Sequence, residues 1–162
     1  MLGAWRARAA LLLTALWWGS LGAIGFVAVP LLFANLPSAA MAGRLAARLF
    51  SAQTWVGIAC ALPLLAIFGR NTAFASVDAN RNASLLIVIA LWLAVVSEWA
   101  IAPRILAREN LALWHTLGSA AYLAQWVCVG WVLLRWPLNA PRLQPAEPGS
   151  GPDAQVNRPD AS

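Results

Sequence analysis

"SLLIVIALWLAVVSEWAIA", residues 84–102, is an apolar run broken by one charge, Glu98. A helix of that length covers about 28 Å, close to the ~30 Å hydrocarbon core of a bilayer. The run shows no alternation of apolar and polar residues, and lipid offers no partner for unpaired backbone groups. Helix is therefore the spanning structure it predicts. Glu98 lies fourteen residues after Ser84, about 21 Å along that helix, which places it in the outer part of the bilayer and not at its centre.

Three further runs share this character, at 9–33, 50–68 and 113–134. The composition agrees: 61% of the 162 residues are hydrophobic, 10% are charged, and mean hydropathy is +0.69. A soluble domain carries about 25% charged residues, so a chain this apolar needs lipid as its main solvent. The sequence predicts an all-α, integral membrane four-helix bundle over residues 1–136. The first run continues to Phe33, too long for a signal h-region, and is read as an uncleaved span. After Trp136 the chain is Pro-rich and poor in apolar residues, so 137–162 is expected to be a disordered tail. Between spans one and two, Ser38 is a plausible N-cap. Met41, Leu45 and Leu49 recur every four residues beside Arg44 and Arg48, which predicts a short amphipathic helix on the membrane surface.

The pI near 11.0 raises the question of nucleic acid. All eleven basic residues are arginines scattered at span ends, with no run to follow a phosphate backbone, so no nucleic-acid partner is expected. Arg6, Arg8, Arg70, Arg81, Arg135 and Arg142 flank the end that holds the termini, against Arg44, Arg48, Arg104 and Arg108 at the other. That excess predicts both termini in the cytoplasm. Trp5 and Trp136 mark one interface, and Trp55, Trp99 and Trp114 the other. Cys60 and Cys128 sit inside apolar runs and read as small buried hydrophobes.

The polar residues of the spans concentrate at the outer ends. In "HTLGSAAYLAQW", residues 115–126, the side chains of His115, Gly118, Ser119, Tyr122 and Gln125 fall within about 120° of helical arc. Gln53 opens span two on a face that continues through Gly57, Cys60 and Leu64. Span one offers Ala15, Gly19, Gly22, Ala23, Phe26, Pro30 and Phe33 as a small-residue packing face, with a kink expected at Pro30. The expected ligand or ion site is Glu98, His115, Ser119, Tyr122 and Gln53. Glu98 reads either as a buried structural carboxylate, protonated or paired with His115, Arg48 or Arg104, or as a group that handles protons or cations. His115 reads as an interfacial hydrogen-bonding group, with metal or haem ligation as the alternative. Ser119, Tyr122 and Gln125 read as helix-packing glue or as a transport path. No nucleophile elbow, Walker loop, HExxH or CxxC is present, and the reading is non-enzymatic, without a cofactor.

The stretches "ALWWGSLGAIGFVAVPLLFANLP", "AGRLAARLFSAQTW", "IAPRI" and "LALWHTLGSAAYLAQW" resemble domain-of-unknown-function family 4149. These are small bacterial inner-membrane proteins similar to eukaryotic transmembrane protein 205. The resemblance spans roughly 9–134, and its motif positions here are Pro30, Phe33, Phe50, Pro103, His115 and Ser119. Where that pattern would carry a small polar Asn below the histidine, this chain has Tyr122. The resemblance implies a four-helix inner-membrane protein without an established activity, and a link of relatives to copper or metal-drug handling. The sequence thus predicts a protein whose outer cluster binds or passes a small cation, proton or metal. The rival is a structural or partner subunit, or a homo-oligomer, with no ligand of its own.

Overall fold

The computed structural model describes residues 2–69, 77–107 and 110–135. Four helical segments are long and apolar enough to cross a membrane: Trp5–Asn35, Ala39–Phe68, Asn80–Leu106 and Leu111–Arg135, of 31, 30, 27 and 25 residues. No strand occurs among the described residues. The expected tail at 137–162, with Trp136, Arg70, Arg108 and Arg142, lies outside the described residues.

The first span comprises α1 (Leu2–Gly22), a π-helical turn (Ala23–Ala28) and α2 (Val29–Asn35). The second is one helix, α3 (Ala39–Phe68). The third comprises α4 (Val77–Val96), a second π-helical turn (Ser97–Ile101) and α5 (Ala102–Leu106), and the fourth is α6 (Leu111–Arg135). The end carrying Trp5, Phe68, Asn80 and Arg135 is called inner below, and the opposite end outer.

Segment 38–49 is helical, as its periodicity predicts, but it joins the second span without a break. Its alanine-rich sequence favours helix, and nothing between Ala39 and Leu62 interrupts the ladder. Ser38 is extended, at φ −145° and ψ 143°, and its hydroxyl accepts from the Met41 amide at 3.3 Å. The buried stripe differs from the expected one. Ala42 and Ala46 face inward, while Met41 and Leu45 are exposed. Alanines allow a close approach to a neighbouring helix that methionine and leucine would block.

Pro30 and Pro103 disturb their spans in the same way. Pro30 has no amide for the Phe26 carbonyl, and the Val29 amide goes to Ile24 instead of Gly25, five residues back. Likewise Pro103 leaves Trp99 without its donor, and the Ala102 amide goes to Ser97 instead of Glu98. Each proline follows its π turn by two residues, so a widened turn accompanies the missing bond, at Pro30 in place of the simple kink expected from the sequence.

The apolar core fills the inner half. Trp17, Cys60, Ala61, Leu64, Phe68, Ile87, Ala90, Val129 and Val132 form it, with Leu21 at its upper edge. Both cysteines are free thiols; Cys60 is buried and Cys128 half-buried. Span one packs by a different face from the one its glycines suggest. Gly19, Pro30 and Phe33 point outward, as do Ala15, Ala23 and Phe26, while Ala10, Thr14, Trp17 and Leu21 point in. The reason is that span one supplies knobs and its neighbours supply the holes. A Cβ on Gly57 would lie 3.0 Å from the Trp17 indole nitrogen, and one on Gly130 would lie 2.6 Å from that of Trp18. Two members of the expected face do meet a neighbour: Gly22 lies against the Trp126 indole, and Phe26, though half exposed, meets the same ring edge to face at 5.2 Å.

Candidate functional site

Three residues in one turn of α3, Phe50, Ser51 and Gln53, tie all four spans together. The Ser51 hydroxyl donates to Glu98 Oε1 at 2.6 Å, joining the second span to the third. Gln53 donates through Nε2 to the Ser20 hydroxyl at 3.0 Å, and Ser20 donates in turn to the Trp17 carbonyl at 2.9 Å, which joins the second span to the first. Phe50 meets Tyr122 edge to face at 5.0 Å, and the Tyr122 hydroxyl donates to the Leu21 carbonyl at 2.8 Å. The fourth span is thereby bound to the second and the first.

The 2.6 Å Ser51 to Glu98 contact is in the short range of hydrogen bonds to carboxylates. Ser51 lies about 18 Å from the start of α3 and Glu98 about 12 Å from the end of the third span, both on the outer side of the middle. Glu98 is half-buried and belongs to the π turn, in which the carbonyls of Glu98 and Trp99 lack their usual amides. The polar groups identified at this turn are oxygens: a carboxylate, the hydroxyl that donates to it, and two backbone carbonyls with spare accepting capacity.

Tyr122 fills a similar gap in the first span. Its ring covers Gly25, where a Cβ would lie 2.5 Å from Cε1, and the Gly25 amide is the hydroxyl's other backbone neighbour. A phenol oxygen set between the Leu21 carbonyl and the Gly25 amide widens the helical ladder, and the π turn begins at this point.

The structure brings together only part of the expected cluster. Glu98, Gln53 and Tyr122 reach α3 or its immediate neighbours, whereas His115 and Ser119 are exposed. Among the described residues no ion pair links Glu98 to His115, Arg48 or Arg104; Arg104 instead stacks over Trp114 at 4.3 Å. The polar stripe of α6 is wider than the face that α6 buries. Gln125 and Val129 lie at the centre of that face, and Ser119 is turned about 120° from Gln125. The residues that sequence reasoning missed are Ser51 and Ser20. A serine within a span gives little signal, since its hydroxyl is commonly satisfied by its own helix.

The two polar pairs do not form one line. Ser51 and Gln53 are separated by about 200° around α3, so the Glu98 pair and the Ser20 pair lie on different faces. Among the described residues, four buried side-chain polar atoms have no hydrogen-bond partner: Trp17 Nε1, Gln53 Oε1, Gln125 Nε2 and Trp126 Nε1. Among the described residues, no three His, Cys, Asp or Glu side chains gather as a metal site. Copper(I) favours sulfur ligands, and the oxygen groups around Glu98 do not fit it; Cys60 lies in the inner core, away from them.

Residues 12–113 match the family described as Domain of unknown function (DUF4149). That stretch includes Ser20, Ser51, Gln53 and Glu98 and stops before His115 and Tyr122. No curated protein and no solved structure matches the chain.

Proposed function

The chain belongs to the DUF4149 family, and from that premise we propose that it is an inner-membrane protein, with cytoplasmic termini, that binds a proton or small cation at Glu98. The observation that carries this reading is the Ser51 to Glu98 pair: a carboxylate inside a span, given a single hydroxyl donor and no basic partner among the described residues. Ionisable groups in spans are costly to retain and mark sites of function by default. A carboxylate held by a hydroxyl suits a proton or a hard cation better than a soft metal. The break between the Glu98 and Ser20 pairs favours binding over passage.

Glu98→Gln keeps the shape and a hydrogen-bonding oxygen while removing the acid. The purified variant is expected to retain native abundance and helix content. It should lose an infrared carboxyl band that the native protein shows and that shifts when sodium is added. An unchanged band in the variant would remove Glu98 from the reading. Rapid degradation of Glu98→Gln would make the Ser51 to Glu98 pair architectural.

The outward placement of His115 and Ser119 supports a second reading, in which these side chains meet another membrane protein or a second copy. Cross-linking in gently extracted membranes would then recover a companion at fixed stoichiometry, and a purified chain that runs alone would count against it.

A further inference from the structure

Away from Glu98, a groove of about 360 Å³ opens between the inner ends of α1 and α3, lined by Trp5, Arg6, Ala9, Leu13, Pro63, Ala66 and Ile67. Two sets of spacing create it. Trp5, Ala9 and Leu13 recur every four residues on one face of α1, and Pro63, Ala66 and Ile67 share a face of α3. The walls are apolar apart from Arg6, which is half-buried and has no carboxylate partner among the described residues. An arginine stem can lie along an apolar wall while its guanidinium reaches the headgroup level.

We infer that this groove seats an acyl chain of an anionic phospholipid whose phosphate is held by Arg6. The match is one of shape and of charge. An open apolar channel running along two spans fits a flexible chain, and basic pockets between spans recruit anionic headgroups. The Trp5 ring, 56% exposed, stands at the depth where an amphipathic side chain borders the headgroups.

The test uses the full chain, extracted and stripped of lipid, then offered phosphatidylglycerol or phosphatidylcholine with identical acyl chains. Native mass spectrometry counts the lipids retained. Phosphatidylglycerol should be retained about fivefold better, or about 1 kcal/mol for one basic side chain. Arg6→Gln should bring the two lipids level. Ala66→Trp fills the groove while leaving the Arg6 charge in the chain and should lower retention of both. Equal retention by the native chain, a preference that survives Arg6→Gln, or full retention by Ala66→Trp would each overturn the inference. Displacement by inorganic phosphate at the same concentration would also overturn it, since the site would then hold an anion and no chain. Should Arg6→Gln fail to accumulate, Ala66→Trp decides alone. Glu98→Gln should leave the lipid ratio unchanged, which separates this outcome from the proton or cation reading.

Discussion

Trp17→Ala is expected to destabilise the bundle by about 3 kcal/mol, measured as the shift in a reversible unfolding titration in mixed micelles. Trp17 is fully buried, and its indole fills the space that Gly57 leaves open on α3. Helices already dissolved in lipid gain little from the hydrophobic effect when they associate. The loss is therefore one of packing, and the value falls at the lower end of the range for truncating a buried aromatic residue. The Trp17 indole nitrogen has no hydrogen-bond partner, so truncation sacrifices no polar contact of the ring. A change well under 1 kcal/mol would mean that the first and second spans do not depend on this knob.

Gly25→Ala should change sign with its background. In the native chain the new Cβ would lie 2.5 Å from Tyr122 Cε1. That ring cannot simply swing away, because its hydroxyl is bound to the Leu21 carbonyl and its edge packs on Phe50. Overpacking of this kind costs about 1–3 kcal/mol. With Tyr122→Ala already in place the clash is gone, and Gly25→Ala should stabilise by about 0.5–1 kcal/mol through reduced backbone freedom. The coupling between the two sites is then at least about 1.5 kcal/mol, which a double-mutant cycle on unfolding resolves. Equal effects in both backgrounds would show that Tyr122 does not press on this turn.

The number and order of the spans were legible because each is an apolar run of near-bilayer length, and no other structure satisfies its backbone in lipid. The carboxylate in the third span was legible for the same reason, as the one charge within the run. Its partner was not. Ser51 is a small residue with local alternatives, and only the packing of α3 against the second π turn reveals what it holds. The packing face of span one failed on a different point. A glycine reports that something approaches closely, yet the indoles that need space meet Gly57 and Gly130 on other helices. Counting 100° per residue also fails beyond the turn at Ala23–Ala28, because π geometry re-phases every residue that follows, Pro30 and Phe33 included. His115 and Ser119 were placed by a stripe broader than the interface that α6 makes.

The unequal lengths of the spans bear on where such a protein can reside. By helical rise the first two spans reach about 45 Å and the fourth about 37 Å, against ~30 Å of hydrocarbon. The first hairpin can lean over to shorten its reach, or stand upright and lift Arg44 and Arg48 clear of the acyl region. Bilayer thickness chooses between these postures at a cost of fractions of a kcal/mol per ångström of mismatch. The angle between the two hairpins, and with it the pull along the Ser51 to Glu98 contact, is thereby sensitive to the membrane that surrounds it.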